Sequence, residues 1–261
     1  INFGGNQYHT VLEFLFPLNL LFDLTNALFI SAIIVIICRK NNFPIKLTTL
    51  LFLSCYTPFL FNGLLIEWTV FPDQPKYIRR AAGFRDLTLY ELDTKLFTSN
   101  LIYTLTPVPF IEGFKSLGFA NRFLLILLII FLLKKEFNKK FILVLIFLPS
   151  ILLYSSVSLR DSLIIIISIL FFNFFFEKKY LLASLYIVLL GLFKLQNAFF
   201  FLSIFLIYQL IFDLKFLNLK LNKNQKDIFV ILVVLLGFFI FYSVFEVFDH
   251  RRYGLYHEAK G

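Results

Sequence analysis

The feature that most constrains this chain is a succession of long apolar runs separated by short clusters of charged residues. Hydrophobic residues make up 59% of the 261 positions and charged residues only 16%, with a mean hydropathy of +0.84. Apolar runs of this kind are typical of helices that cross a bilayer, where each backbone amide must be bonded within its own segment. The sequence therefore predicts an all-α, polytopic transmembrane helical bundle and excludes a water-soluble domain.

We predict about eight transmembrane helices in a single integral membrane domain, residues 1–261. Each predicted helix corresponds to an apolar run, whose length we compare with the roughly 20 residues that a helix needs to cross a bilayer. The runs lie near residues 14–38, 46–70, 119–133, 141–156, 158–176, 180–194, 197–212 and 228–248. The sequence contains no Met, which fits a segment of a longer reading frame with further helices at either end.

The lysines predict the orientation of these helices. They concentrate in alternate connections, near residues 39–46, 134–140, 178–179 and 215–226. By the positive-inside rule, these connections face the cytoplasm. The others, including a long one at 71–118, then face outward. The formal net charge of +9 follows from this topology, so we expect no nucleic-acid partner.

The arginines are distributed differently from the lysines. All except Arg39 map to the outer side or its boundary: Arg79, Arg80, Arg85, Arg122, Arg160, Arg251 and Arg252. The positive-inside rule alone disfavours arginines on the outer side. A guanidinium group binds two oxygens of a phosphate or carboxylate at once, which an ammonium group does not. The asymmetry therefore predicts an anionic ligand on the outer side.

Two polar interruptions of the apolar runs are candidate binding positions. Arg160, followed by Asp161, lies 18 residues before Lys178, or about 27 Å of helix, close to a hydrocarbon core of about 30 Å. Lys194 lies 15 residues after Lys179, or about 22 Å. Both are expected near the outer boundary, where charges are usually paired or functional. The alternatives are that Asp161 only neutralises Arg160 and that Lys194 is a snorkelling lysine in a helical turn.

The long connection at 71–118 and the C-terminal tail supply further candidates. The connection carries Asp73, Arg79 and Arg80, and it is long enough to be functional, although a solvated loop of balanced charge is the alternative. Its second part, residues 101–119, is predicted to lie along the membrane interface or to re-enter the membrane.

The tail carries His250, Arg251 and Arg252. A histidine titrates near neutral pH and is a candidate general base. Two tail histidines without a third ligand do not make a metal site. The sequence also has no glycine-rich phosphate-binding loop. We therefore predict no metal, no cofactor and no ATP hydrolysis.

Two segments resemble a known family. The stretch from Asp73 to Tyr77 resembles the "D-x-x-x-Y" segment of EpsG-like and O-antigen polymerase-like (Wzy-type) membrane proteins. The stretch from Pro149 to Asp161 resembles their "P-S-x-x-x-x-S-S-x-x-x-R-[DE]" segment. The resemblance extends over residues 45–257. Family members commonly have ten or more helices, so this chain departs from them in its predicted count.

The resemblance implies polymerisation of polyprenyl-diphosphate-linked oligosaccharide repeat units into a cell-surface polysaccharide, at the outer face of the bacterial inner membrane. It implies no nucleotide sugar and no obligatory metal. The partners implied are the lipid-linked oligosaccharide, the lipid bilayer, and chain-length regulator or export proteins. We expect Asp73, or else His250, to be the general base. Substrate binding is assigned to Arg79, Arg80, Arg160, Asp161, Lys194, Arg251 and Arg252.

Three other functions fit part of the pattern. A transporter or flippase for an anionic lipid-linked substrate also uses outer arginines, but predicts internal repeats and broken helices. A single-sugar glycosyltransferase using a polyprenyl phosphate predicts an acidic pair in the first outer loop, whereas the first connection here is basic. A non-catalytic assembly subunit would use the arginines to contact protein or anionic lipid.

Overall fold

A computed structural model describes residues 5–66, 70–71, 73–86, 94–111, 113 and 115–212. The described residues are helical, with no strand among them. In chain order the helices are α1 (Gly5–Lys40), α2 (Ile45–Ser54), α3 (Thr57–Phe59), α4 (Gln74–Arg85), α5 (Thr94–Leu105), α6 (Ser116–Lys134), α7 (Lys139–Phe147), α8 (Pro149–Ser156), α9 (Asp161–Phe176), α10 (Tyr180–Phe193) and α11 (Leu195–Phe212). A π-helical turn, Leu60–Leu64, follows α3.

Three segments of the described chain are long and apolar enough to cross a membrane: Leu20–Lys40, Ile45–Leu64 and Ser116–Lys134. Shorter apolar helices are Asp161–Phe176, Tyr180–Phe193 and Leu195–Tyr208. For the described residues, the prediction of an all-α fold with helices long and apolar enough to cross a membrane is confirmed. The count of eight spans stays a prediction, and the run at 228–248 lies outside the described residues.

Two predicted helices are interrupted by proline. The run at 46–70 is α2, α3 and the π-helical turn, because Pro58 occupies the start of α3 and has no N–H for a continuous helix. The run at 141–156 is α7 and α8, which meet at Leu148, and Pro149 starts α8. Both prolines lie at helix starts, where the missing N–H costs nothing.

Much of the predicted connection at 71–118 is helical. Pro75 lies in the first turn of α4, and α4 packs against α5. After α5 ends at Leu105, a non-helical stretch leads to Ser116 at the start of α6. The half-buried Arg85 holds this stretch, because its Nη1 donates to the carbonyl oxygens of Val108 at 2.7 Å and Pro109 at 3.1 Å.

The contacts divide the chain into two compact units, residues 1–170 and 171–261. Within the first, α6 is the central helix and packs against α1, α3, α7 and α8. Gly118 permits the close approach of α6 to α8, because a Cβ there would overlap the carbonyl oxygen of Ser156. Small residues at such crossings let membrane helices pack closely.

The described part of the second unit contains a helical hairpin. α10 and α11 pack against each other and meet at Lys194, which is extended with φ −159° and ψ 107°. Aromatic rings fill the space around Phe175, whose ring centroid lies 4.6 Å from that of Tyr208 and 5.8 Å from that of Phe205. The contact with Tyr208 is edge-to-face, and such contacts stabilise aromatic clusters beyond simple burial.

Candidate functional site

The chain is not helical between α8 and α9, at residues 157–160, which we call the α8–α9 turn. Val157 is extended, with φ −100° and ψ 157°, and its β-branched side chain favours that conformation over a helix. Val157, Ser158 and Leu159 are all buried. Buried non-helical backbone needs hydrogen-bond partners from elsewhere in the protein.

Asn121 of α6 supplies the main partner for the α8–α9 turn. Its Nδ2 donates to the carbonyl oxygens of Val157 at 2.9 Å and Leu159 at 2.7 Å. The hydroxyl of Tyr103 lies 2.9 Å from both the Leu159 carbonyl oxygen and Asn121 Oδ1. Burial raises the pKa of Tyr103 well above its usual range, so the hydroxyl stays protonated and donates at neutral pH.

Gln74, at the start of α4, bonds the other side of the same turn. Its Oε1 accepts from the backbone N–H of Ser158 and from Asn62 Nδ2, each at 2.8 Å. Its Nε2 donates to Asn62 Oδ1 at 3.2 Å. Asn62 precedes Gly63, whose φ of 123° is accessible to glycine but strained for other residues. Together these bonds fix the start of α4 beside Arg160.

Four charged residues interact with the Tyr77 ring or hydroxyl as a result. Arg160 Cζ lies 5.9 Å from the Tyr77 ring centroid, within the range of a cation–π contact. Asp73, Arg80 and Asp161 also act electrostatically on the Tyr77 hydroxyl. We call these four residues and Tyr77 the Tyr77 cluster. Burial, more than any of these charges, raises the pKa of Tyr77.

The Tyr77 cluster brings together four of the residues selected from the sequence. Arg160, Asp161 and Arg80 are partly exposed, and Asp73 is exposed beside Gln74. Arg79, the residue directly before Arg80 in α4, is exposed. Lys194 is exposed at the end of α10, in the second unit. His250, Arg251 and Arg252 lie outside the described residues.

Arg122, which the sequence places at the outer boundary, is completely buried within the protein. Its Nε donates to the Ser54 carbonyl oxygen and its Nη1 to Ser155 Oγ, both at 2.9 Å. Ser54 ends α2 and Ser155 lies in the last turn of α8. Helix C-termini carry partial negative charge, so two of them stabilise this guanidinium. Arg122 is thereby bound within the protein, away from any surface ligand.

A buried ion pair lies at the start of α6. Lys115 Nζ is 3.4 Å from Asp23 Oδ2, and the exposed fractions of the two side chains are 19% and 2%. One turn along α1, Asn26 exchanges two hydrogen bonds with the backbone of Phe110, at 2.8 and 3.0 Å. The ion pair and these hydrogen bonds thus hold the stretch between α5 and α6 against α1.

Sequence reasoning missed the residues that build the α8–α9 turn, namely Asn62, Gln74, Tyr103 and Asn121. The available signal was a pair of adjacent polar residues, Asn121 and Arg122, at the start of the apolar run that becomes α6.

In the described part of the chain, no group of three or more His, Cys, Asp or Glu side chains is arranged to hold a metal ion. Comparisons with protein-family models, curated proteins and solved structures found no match.

Proposed function

We propose that this chain is a membrane glycosyltransferase that polymerises polyprenyl-diphosphate-linked oligosaccharide repeat units at the outer face of the bacterial inner membrane. The observation that carries the proposal is the Tyr77 cluster, in which Arg160 lies over the Tyr77 ring at 5.9 Å and Arg80, Asp73 and Asp161 act electrostatically on the Tyr77 hydroxyl. The two segments that resemble the O-antigen polymerase-like family, Asp73–Tyr77 and Pro149–Asp161, each contribute residues to this cluster. Segments far apart in the sequence therefore meet at one place.

The chemistry assigned to the cluster is transfer of a glycosyl group. The acceptor hydroxyl attacks the anomeric carbon, the bond from that carbon to the diphosphate oxygen breaks, and the diphosphate leaves with the electron pair. Arg160 and Arg80 stabilise the negative charge that develops on the leaving group. Asp73 accepts the proton of the attacking hydroxyl as general base. His250 is the second candidate for that role.

The length of α9 supports a substrate site at the headgroup level. α9 has 16 residues, which is about 24 Å of helix against a hydrocarbon core of about 30 Å. If α9 crosses the bilayer, Arg160 at its start lies near one boundary. A lipid diphosphate presents its anionic group at that depth.

The test is a length profile of the surface polysaccharide from cells carrying Arg160→Ala. We expect single repeat units in place of long chains, with normal amounts of inserted protein. Arg160→Lys keeps the charge but loses the planar guanidinium group that binds two oxygens at once. We therefore expect shortened polysaccharide chains. The control is Arg39→Ala, an exposed arginine at the end of α1. Unchanged chain lengths in Arg160→Ala would overturn the proposal.

A transporter or flippase for an anionic lipid-linked substrate is the second candidate. The observation that favours it is the α8–α9 turn itself, because transporters bind substrates at interrupted helices. The same experiment separates the two. Loss of transport leaves lipid-linked repeat units on the cytoplasmic face and no surface polysaccharide, whereas loss of polymerisation leaves single units at the surface.

A further inference from the structure

An apolar groove lies between α5, α6 and α9. Its volume is ≈ 290 Å³, and only leucine, isoleucine and phenylalanine side chains line it. The α9 wall consists of Leu163, Ile166, Ile167 and Leu170, which share one helix face by their spacing. A groove lined only by apolar side chains disfavours a sugar or a phosphate group as its occupant, because either would lose its hydrogen bonds to water.

One end of the groove adjoins the α8–α9 turn. Leu163 of the lining donates its backbone N–H to the Arg160 carbonyl oxygen at 3.0 Å, so the two residues are separated by one helical turn. On α6, the lining begins at Leu124, one turn after Asn121. On α5, the lining residue Ile102 is adjacent to Tyr103. The lining residues Leu124 and Ile102 therefore lie within one helical turn of Asn121 and Tyr103, which bond the α8–α9 turn.

The groove runs away from Arg160 along two helices. α6 and α9 both start beside the α8–α9 turn, because Asn121 of α6 bonds Leu159. The lining extends from Leu124 to Phe131 on α6 and from Leu163 to Leu170 on α9. Seven residues of helix are about 10 Å long. The groove is thus a short apolar channel, and Arg160 lies one helical turn before the first lining residue of α9.

We propose that this groove binds the first part of the hydrocarbon chain of a lipid phosphate, whose anionic headgroup is bound at Arg160. The inference rests on the proposed function for the role of Arg160 as an anion site, and it adds the place where the lipid chain lies. Ligand pockets usually have volumes of about 300–1,000 Å³, so this groove holds a chain segment rather than a whole lipid. An apolar groove that begins one helical turn from Arg160 matches a ligand with one flexible chain and one anionic end.

The test is photo-crosslinking in membranes that contain the full chain, with farnesyl phosphate carrying a diazirine at the far end of the isoprenoid. We expect crosslinks to the groove-lining segments of α6 and α9, reduced by excess unlabelled farnesyl phosphate. Ile166→Trp fills the groove and should lower the crosslinking yield about tenfold, which corresponds to about 1.4 kcal/mol of binding. Ile165→Trp places the same side chain on α9 outside the lining and should leave the yield unchanged.

The role of Arg160 is tested with the matching diazirine-labelled farnesol. Arg160→Ala should lower the yield for the phosphate about tenfold and leave the yield for the alcohol unchanged. Ordinary bilayer lipid as the occupant predicts crosslinks that resist competition and are equal in all variants, and that result would overturn the inference. So would equal effects of Ile166→Trp and Ile165→Trp.

This binding assay is separate from the polysaccharide profile. If Ile166→Trp abolishes crosslinking while the Arg160→Ala cells make normal polysaccharide, the proposed function fails and the lipid site stands. If Arg160→Ala shortens the chains while all groove variants crosslink like the natural protein, the groove inference fails and the proposed function stands.

Discussion

Asp23 and Lys115 form an ion pair with 3.4 Å between Oδ2 and Nζ. Asp23 lies near the beginning of the apolar segment Leu20–Lys40, and Lys115 directly precedes the segment Ser116–Lys134. The two segments therefore start side by side, and α1 packs along α6. Each carries basic residues in its last turn, Arg39 and Lys40 in α1 and Lys134 in α6. This arrangement is the one that the predicted topology requires of two helices whose lysine-rich ends share a compartment.

Removal of Lys115 should destabilise the protein strongly. In Lys115→Ala the buried carboxylate of Asp23 loses its counter-ion, and the loss of one partner from a buried pair costs about 3–5 kcal/mol. Because Lys115 is 19% exposed, we expect the lower end of that range. The measurement is the thermal unfolding midpoint of the purified protein in detergent.

A second variant identifies the cause of that loss. Adding Asp23→Asn to Lys115→Ala removes the unpaired charge and should recover part of the stability. Lys134→Ala, at the exposed end of the same helix, serves as the control and should have little effect. Equal midpoints for the single and double variants would contradict the ion-pair explanation.

Asn121 should be more important for stability than its size indicates. Asn121→Ala leaves the carbonyl oxygens of Val157 and Leu159 with fewer donors in a buried environment, at a cost of about 1–3 kcal/mol for each buried group left unsatisfied. Asn41→Ala is the matched control, because its Nδ2 bonds the Ile37 carbonyl oxygen at the partly exposed end of α1. The unfolding midpoint should fall much further in Asn121→Ala. A similar fall in both variants would show that the α8–α9 turn does not depend on Asn121.

The positions of the helices could be predicted from the sequence, whereas the hydrogen bonds of Asn121 could not. The apolar runs that become α6, α9 and α10 can be read directly from the sequence, because lipid requires about 20 apolar residues per span. The choice of Asn121 as the partner of residues 157 and 159 depends on how α6 packs against α8, which no local pattern contains. The burial of Arg122 could not be predicted from the sequence for the same reason. Its partners, Ser54 and Ser155, lie at the ends of two helices that are distant from it in the sequence.

Gly118→Ala should disrupt the crossing of α6 and α8. The added Cβ would overlap the Ser156 carbonyl oxygen, which belongs to the backbone and cannot rotate away as a side chain would. Overpacking in a well-packed interior costs about 1–3 kcal/mol. Gly191→Ala is the control, because its Cβ would lie 3.3 Å from the methyl group of Ala198, where a small shift suffices. Detergent-solubilised protein should unfold at a lower temperature only in Gly118→Ala.

The stability of the protein should fall at alkaline pH because of Tyr103. Its folded-state pKa is raised by burial, while a tyrosine in an unfolded chain titrates near 10. The neutral phenol is thus favoured in the folded state. Its contribution is fully present below about pH 10 and is lost as the pH rises towards the folded-state pKa.

Unfolding midpoints between pH 8 and pH 12 test this prediction. Tyr103→Phe should be less stable than the natural protein at pH 8, since it lacks the bonds to Asn121 and Leu159, and the difference should narrow at high pH. Tyr154→Phe, which changes an exposed tyrosine of α8, should follow the natural protein throughout. A constant difference between Tyr103→Phe and the natural protein would be the contrary result.

The guanidinium of Arg122 restricts how this protein can change shape. It is bonded to Ser54 at the end of α2 and to Ser155 near the end of α8, and neither partner carries a charge of its own. If either helix end withdrew, a cation deep in the interior would lose the dipole that stabilises it, at a cost of several kcal/mol. The ends of α2 and α8 and the second turn of α6 must therefore move together. Any movement that opens the first unit has to occur between other helices.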